Sequence, residues 1–198
     1  MVGEGIIALR DAIMGDDDNA HFTALGWEPV FAASPASRIL LVGQAPGRRA
    51  QETGIPWNDP SGDTLLGWLG VDRARFHDPD AFAIVPMDFY FPGKSGSGDA
   101  PPRRAFADRW HPPLLELLPN VRLTILAGAH AQKYYLPKPP KGSLSVTETV
   151  RSWRDNAPVV VPIVHPSPLT IGWRAKNPWF EGELVPELRA LVAAALAD

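Results

Sequence analysis

Four short runs of consecutive apolar residues interrupt an otherwise mixed chain: Arg38 to Gly43 (RILLVG), Phe82 to Met87 (FAIVPM), Val121 to Gly128 (VRLTILAG) and Pro158 to Val164 (PVVVPIV). Each is rich in Val, Ile and Leu and bounded by turn residues, which predicts a buried strand. Continuous rather than alternating apolarity means that both faces are covered, as in a parallel sheet inside an α/β protein. Between and around the runs, helical patterning spans about Ile6 to Met14, Asp63 to Leu69, Arg104 to Leu118, Thr147 to Asp155 and Leu184 to Ala197, and Ser145 and Glu148 have capping-box spacing. Strands alternating with helices predict an α/β/α layering.

The length of 198 residues fits one domain over residues 1–198. Hydrophobic residues at 45% and charged residues at 21% exclude a disordered or collagen-like chain. No apolar run reaches about 18 residues and no basic segment leads into an apolar stretch at the N-terminus, so we expect neither a membrane span nor a secretory signal, and a cytoplasmic protein. The absence of cysteine excludes disulfides, thiol catalysis and thiolate-held zinc or iron–sulfur clusters. The 22 Pro and 17 Gly collect in loops. Of these, Pro92 to Pro102 and Pro137 to Gly142 are either solvated connectors or functional loops.

In open α/β sheets ligands bind beyond the carboxyl ends of the strands. The segments there are GQAPG (Gly43, Gln44, Ala45, Pro46, Gly47), MDFYFPG (Met87 to Gly93), GAHAQ (Gly128 to Gln132) and HPSP (His165 to Pro168). The first is a turn whose glycines let the backbone approach an anion or a flat polar base, or a plain strand-to-helix turn. Trp57, in a Pro- and Gly-flanked loop, suits either the core or a stacking platform. Asp63 stands near a helix start, where an acid is stabilised with no further role, and His165 closes the last strand, where an imidazole can be a satisfied polar residue or a donor to developing negative charge.

In this order, GQAPG, GIPW with PSGD, FYFPG and HPSP resemble the uracil-DNA glycosylase superfamily over roughly Ile39 to Pro168, with NPWF (Asn177 to Phe180) less diagnostic. The resemblance implies a four-stranded parallel sheet between helices and hydrolysis of the N-glycosidic bond of a flipped, damaged base. It implies that the Gln44 and Ala45 backbone contacts the base or positions water, that Trp57 stacks on the base, that His165 stabilises the departing base as an oxyanion, and that Ser167 contacts phosphate. The chain has Ala45 and Gln44 where relatives carry Asp or Glu, and Val85 where many carry an Asn that reads the base. PSGDTLL is similar to the RSGDWL segment of another branch, and this resemblance makes Asp63 the candidate to replace the missing carboxylate.

We therefore expect an α/β/α domain with a parallel sheet in strand order 2-1-3-4, acting without a cofactor or metal as a glycosylase for uracil or another deaminated base in DNA, with an inactive damaged- or abasic-DNA binding protein as the alternative. Asp63 and His165 are the expected catalytic residues. The expected base contacts are Gly43 to Gly47, Trp57, Asp88 and Phe89, and the expected DNA contacts are Arg48, Ser61, Lys94, Pro166, Ser167, Arg174 and Lys176. Base flipping favours a single-stranded or mispaired substrate, because less stacking is lost. The formal net charge of −3 conceals −5 over residues 1–37 and +7 over residues 92–176, where Lys94, Arg103, Arg104, Arg109, Lys138, Lys141, Arg151, Arg154, Arg174 and Lys176 form either a solvated basic face or a phosphate track.

Overall fold

The computed structural model describes residues 3–96, 98–138, 142 and 144–197. Four strands, β1 (Ile39–Val42), β2 (Phe82–Ile84), β5 (Leu123–Ala127) and β6 (Val160–Ile163), form an all-parallel sheet in the order β2-β1-β5-β6, which is 2-1-3-4 when only its own strands are counted. The remaining two, β3 (Lys94–Ser95) and β4 (Gly98–Asp99), pair as a small antiparallel hairpin inside the Gly- and Ser-rich stretch.

The apolar runs are continuous because successive side chains enter different cores. Ile39 and Leu41 face a core built with α4 (Pro60–Leu69), α5 (Arg73–Phe76), α8 (Val146–Arg151) and α10 (Val185–Leu196). Leu40 and Val42 face the opposite core, with α1 (Glu4–Met14), α2 (Ala20–Ala24), α6 (Phe106–Glu116) and α7 (Ala129–Tyr135). Fully burying one such side chain contributes about 1.5–3 kcal/mol, so a polar residue anywhere in β1 would damage one layer or the other. The exposed edge of β2 is covered by Ala32, whose backbone pairs with Ile84 in both directions at 3.0 and 2.7 Å. Edge pairing of this kind removes a template for aggregation.

The helix expected from Asp63 begins three residues earlier, with Asp59 as N-cap accepting the Gly62 amide at 2.9 Å and Pro60 in the first turn. Proline is favoured there, since its missing N–H would have no helical partner. The Ser145–Glu148 capping box is formed on α8, and the expected helix 147–155 divides into α8 and a 3₁₀ turn, Trp153–Asp155. The last helix is preceded by a π-helical turn, Phe180–Leu184. Five short helices carry no repeat long enough to read from the sequence: α2, α3 (Arg48–Thr53), α5, α7 and α9 (Ile171–Lys176).

Candidate active site

The strand order reverses direction between β1 and β5, and the loops leaving the carboxyl ends of β1 and β6 border a cavity of about 490 Å³. All five residues of GQAPG line it, with Pro56, Trp57, Asp59 and Ser61 from the loop into α4, Lys94, Gly98 and Asp99 from the hairpin, and His165, Ser167, Leu169 and Thr170 from the loop after β6. Segments far apart in sequence thus share one wall. Position at the reversal of strand order is where the open-sheet rule puts a ligand.

Trp57 forms the floor. Its indole lies against Gly43, where a Cβ would come within 2.9 Å of the ring, and its centroid is 5.5 Å from that of His165. The absence of a side chain at Gly43 is what lets the indole close over the end of β1. Trp57 also has φ 58, the only non-glycine residue with positive φ among those described. A bulky side chain in that region costs of order 1–3 kcal/mol, held here by the surrounding packing.

His165 is placed by the loop that follows it. The Thr170 hydroxyl donates to the carbonyls of His165 and Ser167 at 3.1 and 2.7 Å, and the Ser167 hydroxyl accepts the Leu169 amide at 3.2 Å. Gly128, with φ +89, would bring a Cβ to 3.4 Å from that of His165, so the end of β5 leaves room for the histidine. Burial pushes the His165 imidazole below its ordinary range, against the upward pull of the Asp59 and Asp99 carboxylates. The ring is therefore neutral at pH 7, able to donate one hydrogen bond.

Asp63 does not line the cavity. It lies on the exposed face of α4 in an ion pair with Arg73. Its carboxylate is drawn outward to Arg73, and the carboxylates that do line the cavity are Asp59 and Asp99. Asp88 and Phe89 are fully buried outside the cavity. Asp88 accepts from Arg103 Nε at 2.7 Å and Nη2 at 2.8 Å, and from the amides of Tyr90 and Arg103 at 3.1 Å each. Four donors satisfy the carboxylate, which makes it an anchor for the chain after β2. Phe89 stacks on Phe31 in the core beneath.

Of the expected DNA contacts, Ser61, Lys94 and Ser167 line the cavity. Arg48 is exposed beside it and pairs with Glu52 at 2.8 Å, Pro166 is buried, Arg174 lies over Trp68 and beside Glu181, and Lys176 is exposed away from the cavity wall. Much of the basic window is occupied internally. Arg109 pairs with Asp16 and Asp18 of the acidic N-terminal segment, Arg103 with Asp88, Arg154 with Glu183, and Arg151 lies over the Trp179 ring. Lys141 lies outside the described residues. The opposite charges of the two windows are partly each other's partners, rather than a free basic face.

Both lining carboxylates, Asp59 and Asp99, were missed from the sequence. The Asp59-Pro60 pair is an N-cap signal that could have moved the helix start and drawn attention to Asp59. Asp99 sits in a stretch that reads as a connector, and nothing local marks it. Leu169, 88% exposed on the rim, is the third feature the motif left unremarked.

A family model described as the uracil DNA glycosylase superfamily matches residues 31–189, most of the chain. The match takes in every lining residue except Val30.

Proposed function

The chain belongs to the uracil DNA glycosylase superfamily, and from that premise we propose that it hydrolyses the N-glycosidic bond of uracil or another deaminated base in DNA. The observation that carries this reading is the meeting of Trp57, His165 and Asp59 in one cavity at the carboxyl end of the sheet. Breaking the bond builds positive charge on the sugar and negative charge on the base, so a site needs an anion facing one and donors facing the other. Asp59 supplies the anion through Oδ2, its Oδ1 being held by the Gly62 amide. Neutral His165 and the GQAPG loop supply the donors, and Gln44 orients without taking a proton.

Trp57 presents an aromatic face to a base brought out of the stack, and such stacking contributes about 1–3 kcal/mol. Leu169 stands at the mouth, where an apolar side chain can fill the gap that an extruded base leaves. Lys94 and Ser167 border the path of the phosphates. Single-stranded and mispaired substrates follow as the preferred ones.

The neutral first motif, Gln44 and Ala45, favours a second reading in which the protein holds damaged or abasic DNA without cutting it. Incubation with single- and double-stranded oligonucleotides carrying uracil, hypoxanthine or xanthine, followed by alkali, separates the two. Strand cleavage that depends on Asp59 and His165 supports the glycosylase, and binding without cleavage supports the second reading.

A further inference from the structure

Two carboxylates enter the cavity, and they are held in the same way. Asp59 Oδ1 accepts the Gly62 amide at 2.9 Å, and Asp99 Oδ1 accepts the Lys94 ammonium at 2.6 Å across the hairpin. Each acid thereby has one oxygen tied to the protein. The other two, Asp59 Oδ2 and Asp99 Oδ2, lie 3.7 and 3.8 Å from where a Cβ on Gly47 would stand. They border a shared space above a residue with no side chain to fill it. Both line the cavity with His165, and both pull its imidazole upward electrostatically.

We propose that Asp99 is a second catalytic carboxylate, which with Asp59 holds the hydrolytic water by both of its hydrogens. The inference rests on the glycosylase reading above. A single acceptor fixes one O–H and leaves the water free to swing about it. Two acceptors fix both hydrogens, so the oxygen's lone pairs point away from the acids into the cavity, where the sugar of a flipped nucleotide would lie.

The step balances without a further reactant. The water oxygen bonds to C1′ as the C1′–N bond breaks and its electron pair passes to the base. One water proton goes to Asp59, whose tied oxygen has a neutral amide for a partner. The other stays on the new C1′ hydroxyl. Asp99 keeps Lys94 as counter-ion, remains ionised and faces the positive charge on the sugar, while the base leaves as an anion hydrogen-bonded to His165 and is neutralised by the proton that Asp59 gives back to solvent, which restores the starting carboxylate.

Two other uses of the pair fit less well. No group of three or more His, Asp or Glu among the described residues could hold a metal ion, so the two acids lack the further ligand a cation would need. A purely structural ion pair closing the hairpin would leave Asp99 Oδ2 directed at the cavity without purpose, and exposed pairs of this kind contribute little.

The test combines single-turnover kinetics on a single-stranded deaminated oligonucleotide with a high-resolution crystal structure of the wild-type protein. Asp99→Asn is expected to slow base release about tenfold or more with oligonucleotide affinity changed less than about twofold. Lys94→Met is expected to weaken affinity more than rate. The double variant Asp59→Asn with Asp99→Asn should be no slower than Asp59→Asn alone, because both acids act on one water. The crystal should show a water within hydrogen-bond distance of both Oδ2 atoms. Equal losses in Asp99→Asn and Lys94→Met, both expressed through affinity, would assign Asp99 to the hairpin alone and overturn the proposal, as would an active wild type with no water between the acids. A wild type that holds the water but releases no base overturns the glycosylase reading, and the catalytic role of Asp99 with it.

Discussion

Gly62 lies directly against the main chain of Trp57: a Cβ at position 62 would stand 1.9 Å from the Trp57 carbonyl oxygen. The contact links the first turn of α4 to the residue that floors the cavity. Gly62→Ala is therefore expected to leave a folded protein whose Trp57 has moved, with base release reduced about tenfold or more. Gly67, on the same helix, has open space around its Cβ position, and Gly67→Ala should raise stability by about 0.5–1 kcal/mol with activity unchanged. Thermal melts and base-release rates of the pair check both statements.

Asp88 tests whether its carboxylate is an anchor or a base contact. Removing one partner of a buried, hydrogen-bonded ion pair costs about 3 kcal/mol or more. Asp88→Asn should lower stability on that scale, by chemical denaturation. Below its melting temperature, base preference among uracil, hypoxanthine and xanthine should stay the same, whereas a shifted preference would return Asp88 to the pocket.

His111 gives stability a pH dependence. Its ring is buried between the Pro86 carbonyl, to which Nε2 donates at 3.0 Å, and the Tyr135 hydroxyl at 2.6 Å from Nδ1, and burial pushes it from 6.5 down to about 4. Between those values the unfolded chain binds a proton that the folded chain does not, so stability falls as pH drops from 6.5 to about 4 and this contribution levels off below. The loss is of the order of 3 kcal/mol. Denaturation at stepped pH should show this slope in the wild type and a shallower one in His111→Gln.

Leu169 carries a prediction about DNA alone. At 88% exposure it has little native packing to lose, so Leu169→Ala should leave the melting temperature within about 1 °C. Affinity for duplex carrying a mispaired uracil should fall several-fold, and release from single strands should fall less. Fluorescence anisotropy with the two substrates reads the difference.

The fold was legible because both faces of each strand are covered: Ile39 to Val42 could be read as one apolar run, and the motifs at the strand ends located the cavity by a general rule of open sheets. The site's acids were not legible in the same way. Asp63 and Asp59 share a helix start, and only the N-cap at Asp59 decides which of them faces inward. Asp88 looks like a rim residue until Arg103, fifteen positions on, is seen to hold it. Asp99 depends on a four-residue pairing in a Gly- and Ser-rich stretch, and the short helices depend on tertiary packing, since isolated turns of four to seven residues are unstable.

The central claim is tested most directly by single-turnover release of a deaminated base from a single-stranded oligonucleotide, measured for the wild type, Asp59→Asn, Asp63→Asn and His165→Ala. Loss of a general base or of one oriented donor costs about 10² to 10³ in rate, so Asp59→Asn and His165→Ala should fall by about that much. Asp63→Asn, which loses only an exposed ion pair with Arg73, should release base at the wild-type rate. An Asp59→Asn variant as fast as the wild type, or no release by the wild type itself, would contradict the account.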